Sequence, residues 1–301
     1  MVATAKPTDI PLLTPLDWQW QGHNIRYTEM GEGEPLLLIH GFGASVGHWR
    51  KNIPVLAAAG YRAIAIDLLG FGASAKPNLD YSVELWQQQL FDFWQEKIKT
   101  PTVFIGNSIG GLLSLMMLGN HPELARGGVL INCAGGLNHR PEELNFPLRT
   151  IMGIFTKIVG SPLMGSFLFN RIRQKNRIRR TLGQVYRDRT AITEELVEML
   201  YRPSCDRGAR EVFASVLTAP PGPKPEDLLL RVQCPLLVLW GDADPWTPIA
   251  GAKIYQDLAQ TNPDVTFYPI TAAGHCPHDE NPDRVNQFML EFLANESSMT
   301  Q

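Results

Sequence analysis

Pro101-Thr-Val-Phe-Ile-Gly-Asn-Ser-Ile-Gly-Gly-Leu-Leu-Ser-Leu-Met-Met-Leu118 is the stretch on which the reading of the fold turns. Its opening residues suit a short buried strand. Gly106-Asn-Ser-Ile-Gly-Gly111 makes a glycine-framed turn, and the apolar run beyond it predicts a helix. Ser108 stands at the tip. Such a turn strains the backbone at its tip, and strand and helix pass so close that side chains in place of the glycines would clash. The hydroxyl is thereby held clear of the backbone at a helix N-terminus, where free N–H groups and the helix dipole favour negative charge. Gly-x-Ser-x-Gly alone arises by chance; between a strand-like and a helical run it marks a nucleophile elbow.

Working outward, Pro35-Leu-Leu-Leu-Ile-His40, Arg62-Ala-Ile-Ala-Ile-Asp67 and Gly128-Val-Leu-Ile-Asn132 are almost wholly apolar. Continuous apolar strands belong to parallel sheets covered on both faces. Residues 47–58 and 82–97 have helical spacing between them. Trp18–Trp20 and Asn24–Thr28 flank Gly22-His23 and read as an N-terminal hairpin. The alternation breaks between about Gly135 and Gln233. It resumes with Pro235-Leu-Leu-Val-Leu-Trp240, a helix near 249–260, the strand Val265–Ile270 and a closing helix near 281–295. The expected fold is α/β, a doubly wound, mostly parallel sheet with an inserted helical cap. Its core would be residues 1–134 and 234–301 and its cap 135–233, with Pro220-Pro-Gly-Pro-Lys-Pro225 as the return linker.

Composition agrees with one large domain carrying an insertion: 301 residues, 44% hydrophobic and 19% charged. A net charge of −3 makes no electrostatic case for a nucleic-acid partner. The four cysteines are widely spaced, with no Cys-x-x-Cys, which argues against zinc sites and disulfide frameworks and for a reduced, intracellular setting. The first residues lack the apolar core of a secretory signal. No stretch of ~18 apolar residues predicts a transmembrane helix. The oligomeric state is not readable.

A serine hydroxyl is a poor nucleophile until a base takes its proton, and the base needs a carboxylate to fix its tautomer. In an elbow fold the order is Ser, acid, His, each on a loop at a strand's C-terminal end. Trp240-Gly-Asp-Ala-Asp244-Pro-Trp follows one late strand and Gly274-His275 follows the last. Asp242 competes for the acid role; Asp244 is preferred because it lies deeper in the loop and Pro245 sets its turn. The remaining histidines are assigned no chemistry: His23 and His48 read as solvated, His121 and His139 as loop or helix-end residues, His278 as structural and His40 as a loop anchor. No pair has metal-ligand spacing with a carboxylate on the same face, so neither metal nor other cofactor is expected. The oxyanion hole would come from the backbone N–H groups of Ile109 and of Phe42, in the loop His40-Gly-Phe-Gly43.

These residues resemble the α/β-hydrolase superfamily from about Leu16 to Leu293, the cap excepted. His40-Gly-Phe-Gly-Ala-Ser-Val-Gly-His-Trp-Arg-Lys-Asn52, the elbow, Trp240–Trp246 and Gly274-His-Cys-Pro-His-Asp-Glu-Asn-Pro282 together resemble the pheophytinase and chlorophyll dephytylase group. That resemblance implies hydrolysis of the phytyl ester of chlorophyll pigments, with Ser108, Asp244 and His275 where the group's triad falls. Serine at the elbow sets the chain apart from the dehalogenases and epoxide hydrolases of this fold, which attack with aspartate. Meta-cleavage C–C hydrolases share the elbow, but usually have Gly-Pro-Gly in the oxyanion loop and a Trp soon after the histidine; here stand Gly-Phe-Gly-Ala and Cys276.

Within the cap, residues 146–170 are rich in Ile, Leu, Met and Phe, and Ile151 and Phe155 are candidate substrate contacts. An apolar cap over a serine site suits an apolar small-molecule ester. Residues 171–189 carry eight Lys and Arg against Asp188 alone, a run suited to peripheral contact with an anionic membrane, so the expected location is cytoplasmic or on an internal, thylakoid-like membrane. The blander roles are cap packing and a solvated basic face. The triad is equally compatible with a C–C bond hydrolase, a cofactor-free oxygenase or perhydrolase, and a hydrolase-fold receptor with little turnover.

Overall fold

Alternate residues of each central strand face opposite layers of helices, which is why the strands read as unbroken apolar runs. The computed structural model describes residues 13–138, 140 and 146–299. The strands are β1 (Leu16–Trp20), β2 (His23–Met30), β3 (Glu34–Ile39), β4 (Tyr61–Ile66), β5 (Thr102–Asn107), β6 (Ala125–Ile131), β7 (Leu236–Gly241) and β8 (Val265–Ile270). They form one sheet in the order β1-β2-β4-β3-β5-β6-β7-β8. β2 alone runs opposite to the other seven strands.

Before the insertion come the helices α1 (Ile53–Ala58), α2 (Val83–Phe93) and α3 (Ile109–Asn120). Between β6 and β7 lie α4 (Phe146–Gly160), α5 (Pro162–Ile172), α6 (Lys175–Val185), α7 (Glu194–Tyr201), α8 (Ala209–Thr218) and α9 (Pro225–Leu229). The chain ends in α10 (Lys253–Thr261), α11 (Pro277–Glu280) and α12 (Pro282–Met299). On one face of the sheet Leu37, Ile39, Ile66, Phe104 and Leu130 meet Trp86 of α2 and Leu112 of α3. On the other, Leu36, Leu38, Val103, Ile105 and Val129 meet Ile53 of α1 and Met289 of α12. A smaller cluster of Leu182, Val185, Tyr186, Leu196 and Val197 holds α6 against α7 and closes over Cys276.

Two expected helices are broken. Residues 47–58 split into a 3-10 turn, Val46–Trp49, and α1, because Pro54 suits a helix's first turn and not its interior. The 82–97 segment is α-helical only to Phe93 and then widens into a π turn, Trp94–Ile98, which ends on Lys99 with φ 66°. The readings for residues 1–9 and for His139 lie outside the described residues.

After β3 the chain adds β4 on one side and β5 on the other. The direction of winding therefore switches at β3/β5, and the loops beyond these two strands diverge to leave a crevice at their C-terminal edge.

Candidate active site

The crevice is lined by the loop after β3 and the turn after β5, and that turn is strained. Ser108 has φ 57° and ψ −119°, outside the usual range of a residue with a side chain. Its conformation is imposed by packing. A Cβ on Gly106 would stand 2.0 Å from the Gly110 carbonyl oxygen, and one on Gly110 would stand 2.1 Å from the Ile39 oxygen. Backbone bonds from Ser108 N to Ile131 O (3.0 Å) and from Ala134 N to Ser108 O (3.1 Å) pin the turn to the end of β6. Ile109 opens α3, so its N–H is among those a helix leaves without an intrahelical acceptor.

On the neighbouring loop, a Cβ on Gly41 would lie 3.2 Å from that of Ser108, which places Phe42 beside the elbow. His40 anchors the loop as expected: Leu68 N–H donates to its Nε2 (3.1 Å), and its Nδ1 lies 2.7 Å from the Gly41 oxygen. Burial brings its pKa down to about 4, so the ring is neutral. Asp67, unremarked in the sequence, ties this loop to the next by accepting from Val46 N (2.7 Å) and Ala73 N (2.7 Å). Burial raises its carboxyl to about 6 despite those donors.

Asp244 and His275 come together across the ends of β7 and β8. Nδ1 of His275 is 2.6 Å from Oδ2 of Asp244. Asp244 is buried and also accepts from Asn132 Nδ2 (2.7 Å), Trp246 N (2.7 Å) and the Thr247 hydroxyl. Burial opposes its charge, but the bonds from His275, Thr247 and Trp246 outweigh it and hold the carboxyl below its ordinary range. Asp242 is exposed and accepts from Ala272 N (2.9 Å), capping the β8 turn. The His275 backbone is held from both sides, its carbonyl by Asn107 Nδ2 (2.9 Å) and its N–H by the Val185 oxygen (2.8 Å) at the end of α6. Asn132 and Thr247 went unnoticed in the sequence; a polar residue closing an apolar strand was the one available signal for Asn132.

Ser108 and His275 line one cavity of about 250 Å³. Among the described residues no hydrogen bond joins them, an arrangement common in enzymes without substrate. Phe42, Phe71, Phe169 and Phe213 make an aromatic wall, with Phe42–Phe71 and Phe169–Phe213 centroids 5.7 and 5.3 Å apart. Ile172, Leu182 and Val212 complete an apolar lining supplied largely by the inserted helices. Ile151 and Phe155 are not among the lining residues: Ile151 is exposed and Phe155 half-buried, because α4 packs against α5 and α8 one layer further out. Cys276 is buried on the cavity wall, and burial pushes its thiol well above the ordinary range.

His48 is a correction: it is buried, not solvated. Its Nε2 is 2.8 Å from the Tyr186 hydroxyl, which donates to Oδ2 of Asp279 (2.9 Å). Arg50 (2.9 Å) and Lys51 (3.1 Å) pair with the other Asp279 oxygen. Burial opposes the charge on Asp279; the facing His48, Arg50 and Lys51 outweigh it and bring the carboxyl down to about 2. The network bridges the sheet domain to the inserted segment through Tyr186. The buried His278 ring packs beside it, tilted against Trp49 with ring centroids 4.3 Å apart.

Residues 36–288 match the family described as alpha/beta hydrolase. The chloroplastic pheophytinase of Arabidopsis thaliana is 28% identical over 89% of this chain, which spans 64% of that longer protein. The 2-hydroxy-6-oxo-6-(2'-aminophenyl)hexa-2,4-dienoic acid hydrolase of Metapseudomonas resinovorans is 30% identical over 93% of this chain and 91% of its own. Among solved structures, a serine hydrolase involved in carbazole degradation superposes with a TM-score of 0.73 at 26% identity, covering 94% of this chain and 99% of its own. An epoxide hydrolase, at 20% identity and a TM-score of 0.76 over 94% and 99%, has the same fold. The elbow, the sheet order and these likenesses together place this chain in the α/β-hydrolase family.

Proposed function

We propose that this protein is a serine hydrolase that cleaves a carboxylic ester bearing a large apolar group by way of an acyl-enzyme. The 2.6 Å bond from His275 to buried Asp244, at a cavity shared with Ser108, carries the reading. Nδ1–H of His275 donates to Asp244, which leaves Nε2 as the base. Nε2 takes the Ser108 proton as Oγ attacks the ester carbonyl. The N–H groups of Phe42 and Ile109 hold the oxyanion, each donor of this kind contributing roughly 10²–10³ in rate. The imidazolium, steadied by Asp244, returns its proton to the leaving alcohol. Water then repeats the cycle on the acyl-serine.

The apolar, aromatic wall favours a hydrocarbon-rich substrate, and the likeness to pheophytinase makes the phytyl ester of a chlorophyll-type pigment the specific proposal. A second reading, C–C bond hydrolysis of a dienoic acid, is favoured by the 30% identical relative and by Arg173 on the cavity wall as a carboxylate partner. Lys76, also on the wall, is already engaged by Asp206 (2.8 Å) and the Gly72 oxygen (2.7 Å).

The test is product analysis after incubation with pheophytin a, chlorophyll a, a graded series of acyl esters and a 2-hydroxy-6-oxodienoate. Release of phytol, abolished in Ser108→Ala, is expected. Faster turnover of the dienoate than of any ester would replace the ester reading with the second. No turnover of any substrate would leave a receptor.

A further inference from the structure

Helices α4, α5 and α6 combine exposed apolar side chains with unbalanced positive charge. On α5, Leu163 (84% exposed), Met164 (55%), Phe167 (71%) and Arg171 fall on one face at helical spacing. The opposite face of the same helix supplies Phe169 and Ile172 to the cavity. On α4, Ile151 and Ile154 are likewise exposed. Side chains of this size are ordinarily buried, and clustered exposure marks a contact surface. Residues 146–185 hold eight Lys and Arg and no Asp or Glu, in a chain whose net charge is −3. Two of those cations are answered from α7, Lys175 by Glu198 and Arg179 by Glu194. Among the described residues no ion pair engages Lys157, Arg171, Arg177 or Arg180, and all four are exposed. Among the described residues no helix is long and apolar enough to cross a membrane.

We propose that the outer face of α4–α6 docks on the surface of an anionic lipid bilayer, with Leu163, Met164 and Phe167 entering the acyl boundary and Arg171, Arg177 and Arg180 meeting the headgroups. Charge selects this occupant. A second copy of the chain would bring the same uncompensated cations face to face, whereas an anionic leaflet neutralises them. Apolar area and basic charge then act together, as in interfacial helices. Helix α5 becomes the wall between bilayer and cavity, so that an apolar ester would reach Ser108 past Ile172. The docking goes beyond the hydrolase reading and does not depend on turnover.

The test uses the full chain carrying Ser108→Ala, so that hydrolysis of lipid plays no part. It is co-sedimented with phosphatidylcholine vesicles, with and without phosphatidylglycerol, at low and high salt. Binding to the phosphatidylglycerol vesicles, weakened by salt, is expected. Arg171→Glu/Arg177→Glu/Arg180→Glu should partition roughly a hundredfold more weakly, from a several-fold factor per cation. Leu163→Glu/Phe167→Glu should abolish binding at either salt; Leu163→Gln/Phe167→Gln serves if that variant does not fold. No binding to anionic vesicles, or unchanged binding by the folded variants, overturns the proposal. So does light scattering that finds a dimer which the Leu163/Phe167 variants dissociate, since the face would then belong to a second copy.

Discussion

Two carboxylates of one loop, two residues apart, have opposite fates. Asp244 is buried among four donors and faces His275; Asp242 is exposed and caps a turn. Asp244→Asn is expected to lower kcat roughly 10³–10⁴-fold, because an amide supports the wrong His275 tautomer. Asp242→Asn should change it by less than about threefold, as exposed substitutions usually do. Steady-state kinetics on a chromogenic ester, with circular dichroism to exclude unfolding, decides the pair. Equal losses would return the acid role to open choice. The competition is visible in the sequence, and loop depth points to the carboxylate that meets His275. Of the supporting donors, Thr247 has no signal in the sequence and Asn132 only that of a polar residue closing an apolar strand, since it meets Asp244 from beyond the end of β6.

At the scale of elements, the elbow and the bridge to α6 set the site's rigidity. In Gly110→Ala a methyl group would meet the Ile39 backbone oxygen at 2.1 Å, and neither chain can yield without breaking the α3–β3 contact. A loss of about 3 kcal/mol or more in urea unfolding is expected; a wild-type midpoint would mean the elbow can open. Tyr186→Phe removes a buried bond to charged Asp279 and the partner of His48. It should cost about 2 kcal/mol and speed proteolysis within 146–229. Unchanged cleavage would show that Val185 O to His275 N suffices as the bridge. The helices of the insertion were legible from composition, but not their layers. Ile151 and Phe155 have the apolar character of a substrate contact but lie on α4, whereas the cavity is lined from α5, α6 and α8.

For the whole molecule, buried histidines set the response to acid. His40 and His48 are brought down to about 4, and His278 is held well below its ordinary range, in each case first by burial, from an ordinary value of 6.5. Below pH 6.5 the unfolded chain takes up protons that the native state refuses, so stability falls as pH falls toward 4. Each such proton is worth about 1.4 kcal/mol per pH unit. Asp67 opposes this: its carboxyl, raised to about 6 from 3.8, takes a proton in the native state first, so its share of stability grows on acidification through that window. Three histidines against one aspartate predict a net loss, and the urea midpoint should fall steadily from pH 7 to 5. A flat midpoint would mean that water or a rearranged network reaches these rings.

The sequence by itself determined the elbow, the order of the strands and the helical stretch between β6 and β7, and it singles out Asp244 and His275, which the fold brings together, with His275 at one cavity with Ser108. Each rests on neighbours in the chain: turn glycines, apolar runs and loops that follow strands. The partners that cross the fold were decided only by tertiary structure. His48 finds Tyr186 138 residues away, and Asn132 finds Asp244 112 residues away. His48 reads as solvated beside Arg50 and Lys51, yet Tyr186, His278 and Asp279, all far along the chain, close around its ring. Local patterning encodes periodicity and turns, whereas which polar groups share a buried space depends on how the layers stack, and that is a property of the folded whole.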